Sequence, residues 1–314
     1  MLRPYALINF HMPTLDIPSP TIVHHMAALD NQAAPPNSLE AIQASLDAGA
    51  VFIEVDVTAL TQDDYLLVHD PALESETNGQ GGVGMATPAQ ARELFIKRHG
   101  EVTTYQVPLL SQVVELFQRA GKSTRLQLDF KNEYPLPTDE PLHRLANLIA
   151  PLGDRVLVST GADWQLRKLR HIAPSLLLGF DVMHYIDWEP LDKVRDPRAI
   201  PKQRGAYGYY DDHILATQKL WSIPEYLRDR CESLMGLVSD VSVFYLEHTL
   251  IAQSLKDGFS WAEVVHEHGI KLDAWTMDVT NPHAMENLKP LYEAGVDLFT
   301  TNTPLALARL LKTM

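Results

Sequence analysis

The chain has 314 residues, of which 46% are hydrophobic and 21% charged, with a formal net charge of −14 and one cysteine, Cys231. That length is ample for a substantial core, and the negative field disfavours nucleic acid and anionic membrane surfaces as partners. A single cysteine excludes an intrachain disulfide and a cysteine-based zinc cage, and its place in a helical stretch reads as a buried packing thiol.

No basic region followed by a long apolar run opens the chain, and no apolar window approaches the ~20 residues needed to span a bilayer. A cytoplasmic protein with no stable membrane insertion is therefore expected, after a Pro-punctuated leader over residues 1–20. The stretch TIVHH reads as a first strand, followed by a helix that starts at Asn37 or Ser38, both good caps, with Leu39, Ile42 and Leu46 at helical spacing. AVFIEVDV and YLLVH read as strands, and a Gly-rich excursion over residues 71–107 precedes the helix LLSQVVELFQRA. Strand RLQLDFK, a helix near 140–150, strand RVLVST, helix DWQLRKLRHIA and strand LLLGFDV continue the alternation. Residues 184–212 are polar, aromatic and turn-rich, and read as an insertion. Helix 214–234, strand VSVFYL, helix 248–267, strand KLDAWTM, helix 282–294, strand VDLFTT and helix PLALARLLK complete the chain.

About eight strands alternating with helices, with no linker-like break, predict a parallel sheet closed as a single (β/α)8 TIM-barrel domain over residues 1–314. The literal G-x-G-x-x-G match in GQGGVG, residues 79–84, follows no apolar strand, so it does not read as a dinucleotide site. No G-x-S-x-G elbow surrounds Ser159 or any other serine, which leaves a hydrolase triad unsupported.

Side chains two apart on a strand share a face, so Phe52, Glu54 and Asp56 point one way and Ile53, Val55 and Val57 the other. Two carboxylates inside a barrel are costly to desolvate and repel each other, and a divalent cation removes both problems. RLQLDFK supplies a second polar face with Asp129, and Lys131 at its C-terminal end is a partner for an anionic substrate. Three carboxylates with water suit Mg²⁺ or Ca²⁺ better than zinc. His24 ends the first strand and His69 ends YLLVH, and histidine titrates in the range useful for acid–base work. The remaining histidines, His184 and the pair His266 and His268 among them, lack ligand-like spacing.

The order of these parts resembles the glycerophosphodiester phosphodiesterase family, which opens with a strand ending His-Arg-Gly and a helix-capping P-E-N-T. It continues with an E-x-D strand, a strand ending His-Asp, an inserted subdomain, an E-x-K strand, a W-T strand and a T-D-x-P turn. Here the corresponding stretches are HHMA, PPNS, IEVDV, LLVHDPAL, LDFK, DAWTMD and TTNTP, spanning residues from about 21 to 311. The resemblance implies that Glu54, Asp56 and Asp129 hold one divalent cation and that His24 and His69 are the acid–base pair. It implies that Lys131 contacts the phosphoryl group, that His25 stands in the place of an arginine at the substrate, and that Trp275 lines the wall.

The implied activity is hydrolysis of a small-molecule phosphodiester to sn-glycerol 3-phosphate and an alcohol. HHM is also similar to sphingomyelinase D-type enzymes, which keeps a lysolipid head group open as substrate. Pro36 replaces the family's Glu, Asn302 replaces an Asp, and an arginine expected after His-Asp is absent, with Ser75 near its place. These departures motivate a second reading, a catalytically silent barrel that binds a phosphorylated ligand. A metal-dependent sugar or acid isomerase on the same fold is a third. Nothing in the sequence sets an oligomeric state.

Overall fold

A computed structural model describes residues 15–30, 32–121, 123–134, 136–191 and 201–314. Eight parallel strands form the barrel: β1 (Thr21–His24), β2 (Phe52–Ala59), β3 (Arg125–Phe130), β4 (Val156–Thr160), β5 (Leu177–Asp181), β6 (Val243–Glu247), β7 (Lys271–Trp275) and β8 (Leu298–Thr301). Each pairs with the next, and β1 pairs with both β8 and β2, which closes the sheet on itself. Helices α1 (Leu39–Asp47), α2 (Leu110–Arg119), α3 (Glu140–Ile149), α4 (Asp163–Ile172), α5 (Ile223–Leu237), α6 (His248–Lys256), α7 (Trp261–Glu267), α8 (Pro282–Glu293) and α9 (Pro304–Leu311) lie between or after the strands.

The strand faces sort as alternation requires. Ile53, Val55, Val57, Leu126, Leu128 and Phe130 join the large core shared with the helices. Val23, Phe52, Leu157, Leu177, Val243 and Leu298 form a separate cluster inside the barrel, extended by Leu15 and Ile17. The described part of the leader thus packs against the barrel interior, while residues 1–14 lie outside the described residues. Phe52 being inside forces Glu54 and Asp56 inside as well.

YLLVH is not a barrel strand. Only Tyr65–Leu66 is extended, and it pairs antiparallel with Thr58–Ala59. The connection from Ala59 to Tyr65 is a tight turn with Asp63 at φ 55°, far shorter than the dozen or more residues a parallel crossover needs. Leu66 and Val68 instead feed a third core with Leu73, Val83, Leu94 and Val107, which belongs to the excursion after β2. That excursion carries two single-turn helices, Leu73–Glu76 and Pro88–Ala91, and a hairpin of Phe95–Arg98 with Glu101–Gln106.

The single helix expected over 248–267 is two. Gly258 takes φ +84°, and Ser260 caps α7 by accepting from Glu263 N, so the chain turns between α6 and α7. Similarly, a 3₁₀ turn at Ile214–Ala216 stands apart from α5, whose start is set by a Ser222–Glu225 capping box. Within the excursion after β5, Ile186–Asp187 pairs antiparallel with Tyr210–Asp211, and buried Arg230 on α5 donates from Nε to Asp211 Oδ2 at 2.6 Å. Residues 192–200 of the expected 184–212 insertion lie outside the described residues.

Candidate active site

The register of β2 on β3 sets Glu54 beside Gln127 and Asp56 beside Asp129. Glu54, Asp56 and Asp129 each offer a carboxylate oxygen within 4.8 Å of the others, an acidic cluster able to hold a metal ion. Glu54 and Asp56 are buried, and Asp129 is half-buried. Lys131 Nζ donates to Asp129 Oδ2 at 2.5 Å and lies 3.1 Å from Asp56 Oδ1. Asn37 Nδ2 donates to Asp56 Oδ2 at 2.9 Å, and Asn37 Oδ1 accepts from Asp56 N at 3.2 Å. Asn37 sits at φ 57°, one residue before the Ser38 cap of α1, so the helix start delivers an amide to the acids.

One lysine does not balance three carboxylates. Burial, then the charges of Asp56 and Asp129, push the Glu54 carboxyl well above its ordinary range. Asp56 goes the other way: burial opposes its charge, but Lys131, His69, His25 and the Asn37 hydrogen bond hold it low. Glu54 Oε1 is buried with no hydrogen-bond partner among the described residues. An orphaned buried acceptor beside two further carboxylates is the donor set a hard divalent cation takes.

The first strand turns His24 and His25 to opposite sides. Val23 faces the barrel interior, so His24 faces out and His25 in. His24 is buried against α1, with Nδ1 3.0 Å from Ser45 Oγ, and it does not line the central cavity. Ser45 Oγ donates to Ala27 O at 3.0 Å, so the His24 ring must be the donor to Ser45. Burial, opposed by Asp30, pulls His24 down to about 4, which keeps it neutral near pH 7.

His25 lines the cavity instead, with Nε2 3.9 Å from Glu54 Oε2. The chain turns sharply after it, Met26 at φ 52° and Ala27 at φ 55°, and Met26 N donates to Glu54 Oε2 at 2.7 Å. His25 Nδ1 lies 3.0 Å from Asn302 Oδ1, and Asn302 Nδ2 donates to Asp278 Oδ2 at 2.9 Å. With its amide nitrogen committed to Asp278, Asn302 presents only an acceptor to His25, which assigns the proton to Nδ1 and leaves the Nε2 lone pair for the site. His69 lines the same cavity from a bend beyond Tyr65–Leu66, its Nδ1 3.0 Å from Asp70 Oδ1 and its N–H donating to Glu76 Oε2 at 2.7 Å.

The cavity at the C-terminal mouth has a volume of about 580 Å³. Its wall on the β6–β7 side carries Tyr245 and Trp275, whose phenol oxygen and indole Nε1 are buried without hydrogen-bond partners among the described residues. Gly179 lets the Tyr245 ring cross the barrel, since a Cβ there would collide with it. Gln127 Nε2 donates to Ser159 Oγ at 3.0 Å, and Ser159 Oγ lies 3.5 Å from Asp129 Oδ1. Asp181, ending β5, is pushed up to about 7 by burial, with a hydrogen bond from Met183 N opposing and Asp129 adding to the shift. Glu133 and His184 face each other on the rim at 3.2 Å.

Of the residues the sequence singled out, Glu54, Asp129, Lys131, His25, His69 and Trp275 line one cavity, Asp56 lies buried beside Asp129 and Lys131, and His24 faces away toward α1. Sequence reasoning missed Asn37, Asp181, Tyr245 and the Glu133–His184 pair. Asp181 and Tyr245 had a usable signal, since each lies at or near the C-terminal end of an apolar strand. Asn37 and His184 had none, because only the folded chain shows what they meet.

The model of the glycerophosphoryl diester phosphodiesterase family matches residues 30–202, more than half of the chain. The chain belongs to this family. A glycerophosphodiester phosphodiesterase of Caldanaerobacter subterraneus is 30% identical over 156 residues, covering 48% of this chain and 62% of that protein. The chain thus matches less than two thirds of that curated relative's length. Two solved structures share the barrel. A glycerophosphodiester phosphodiesterase from Parabacteroides distasonis aligns over 94% of this chain and 98% of its own, with a TM-score of 0.63 at 15% identity. An Oleispira antarctica phosphodiesterase, solved in complex with the product sn-glycerol-3-phosphate, aligns over 94% and 97%, with a TM-score of 0.61 at 17% identity. At such identities the likeness establishes the fold.

Proposed function

We propose that the protein hydrolyses a glycerophosphodiester to sn-glycerol 3-phosphate and an alcohol, with one divalent cation held by Glu54, Asp56 and Asp129 and with His25 and His69 as the acid–base pair. The observation that carries this reading is the gathering of Glu54, Asp129, Lys131 and the two imidazoles on one mouth cavity, with Asp56 clustered beside the other acids, in a chain of this family. When bound, the cation, Mg²⁺ or Ca²⁺, supplies charge neutralisation at the phosphoryl group and offsets the mutual repulsion of the acids.

The protein's own groups do the rest. One imidazole removes a proton from the attacking water as its oxygen bonds to phosphorus, and the other gives a proton to the departing alkoxide as the P–O bond to the alcohol breaks. For both rings a hydrogen bond or ion pair occupies Nδ1, to Asn302 for His25 and to Asp70 for His69, which leaves Nε2 for proton transfer. Lys131 keeps its charge although burial opposes it, because Asp129 and Asp56 press its pKa upward, and it serves as a fixed cation for a phosphoryl oxygen. Tyr245 and Trp275 give the substrate an apolar wall.

The test is turnover of glycerophosphocholine, glycerophosphoethanolamine and lysophosphatidylcholine in EDTA and with added Mg²⁺ or Ca²⁺, with enzymatic detection of sn-glycerol 3-phosphate from the first two and of choline from the third. EDTA is expected to lower the rate at least ~100-fold and a cation to restore it. No phosphorylated product from any of these substrates under any cation would overturn the reading. Lys131→Met is expected to cost about 10²–10³-fold in kcat, read in the same assay, because it removes the ammonium paired with Asp56 and Asp129.

A further inference from the structure

His184 follows β5 on the rim, and its imidazole is held from two sides. Its Nε2 lies 3.2 Å from Glu133 Oε1, on the segment after β3. Below it is Gly161, the residue after β4, where a Cβ would come 2.6 Å from the ring. Gly161 has no left-handed φ, so the close approach of the imidazole is what its lack of a side chain permits. His184 Nδ1 has no hydrogen-bond partner among the described residues, and both His184 and Glu133 line the mouth cavity. A ring locked in place, with one nitrogen engaged and the other unengaged, is pre-organised for a ligand.

We propose that His184 and Glu133 form the subsite for the glyceryl hydroxyls of the substrate, with His184 Nδ1 hydrogen-bonding one hydroxyl and Glu133 accepting from a hydroxyl. This rests on the glycerophosphodiester reading above. The chemistry of the pair selects the group. A phosphoryl oxygen only accepts hydrogen bonds and is negative, so Glu133, with Asp181 nearby, repels it. A quaternary ammonium has no polar hydrogen to give and so leaves the pair's hydrogen-bonding groups unmet. A hydroxyl both donates and accepts, and so satisfies the two groups at once.

The charges facing the pair act on both groups. Burial lowers the pKa of His184, but the hydrogen bond and charge of Glu133 and the charge of Asp181 outweigh that and Lys202, and raise it. For Glu133 burial pushes up, while the hydrogen bond and charge of His184, with Lys131 and His69, hold it low. The two are also placed for the task. They come from the β3 and β5 segments, while His25 comes from β1 and His69 from the excursion after β2. A phosphate over the acids of β2 and β3 then has the acid–base pair on one side and this pair on the other.

The experiment compares glycerophosphocholine with bis(p-nitrophenyl) phosphate, a phosphodiester without hydroxyls, in wild type, His184→Ala and Gly161→Ala. Gly161→Ala leaves the imidazole intact but displaces it, and the side chain it meets can move without unfolding the barrel. His184→Ala is expected to lower kcat/KM for glycerophosphocholine by about 10–100-fold, mostly through KM, and to leave bis(p-nitrophenyl) phosphate within about 2-fold. Gly161→Ala should fall in the same direction for glycerophosphocholine alone. Equal losses on both substrates, or none on either, would overturn the assignment. If the wild type turns over bis(p-nitrophenyl) phosphate but no glycerophosphodiester, the function proposed above fails, and binding then decides the subsite. His184→Ala must weaken sn-glycerol 3-phosphate about 10-fold by calorimetry and leave inorganic phosphate unchanged, or the subsite is wrong.

Discussion

Replacing His25 or His69 by alanine is expected to lower kcat at least ~100-fold, while His24→Ala keeps kcat within about 3-fold and lowers the melting temperature. The three substitutions remove the same ring from neighbouring or related positions, so the contrast between them isolates placement. His25 reaches the cavity because Val23 packs inside the barrel and the strand alternates; His24, one residue earlier, is committed to Ser45 on α1. Its loss leaves a void and an unpaired Ser45 oxygen under the helix, a cost of about 2 kcal/mol read as a fall of several degrees. A steady-state assay with thermal denaturation on the same preparations separates the effects. Near-wild-type kcat in His25→Ala, or a 100-fold loss in a folded His24→Ala, would return the role to His24.

Asn302→Ala offers an internal control on the same argument. Asn302 does not need to touch substrate to matter: its oxygen accepts from His25 Nδ1 only because Asp278 holds its amide. As a positioning residue it should lower kcat by about 10-fold with KM little changed, and Asn302→Asp should recover part of that loss by restoring an acceptor. A change in KM alone would point to a structural role for the turn.

Much of the site could be read from the chain because carboxylates on an apolar strand are costly wherever they lie. Glu54, Asp56 and Asp129 break two apolar strands on the face that alternation assigns to the barrel interior, and no packing requirement explains them. Two consecutive histidines are harder. Either one ends the strand, each faces opposite to the other, and only the pairing of β1 with β8 and β2 shows which side Val23 takes. YLLVH misled for a related reason: a five-residue apolar run does not say which core it fills, and Leu66 and Val68 fill that of the excursion. Asn37 looks like any helix cap until its amide is seen on Asp56, nineteen positions away. Glu133 and His184 meet across β4 and leave no local trace at all.

The second large effect concerns Glu54, whose removal is expected to stabilise the protein it disables. In the absence of a cation, Glu54 is buried beside Asp56 and Asp129, with one oxygen unpartnered. Glu54→Gln keeps the length of the side chain and an oxygen that can accept from Met26 N, and it takes away one of three crowded charges. In EDTA its melting temperature should therefore exceed that of wild type by about 2–3 °C, the shift that roughly 1 kcal/mol produces in a domain of this class. Addition of Mg²⁺ or Ca²⁺ should reverse the order. Wild type gains stability as the cation binds the folded state alone, about 2.7 kcal/mol at a hundredfold excess over Kd, and the variant gains little. Its kcat should fall about 10²–10³-fold at any cation concentration. The paired outcome is what distinguishes a ligand from a merely buried acid. A variant less stable than wild type in EDTA, yet equally stabilised by cation, would show that Glu54 holds up the barrel and that the ion, if any, sits elsewhere.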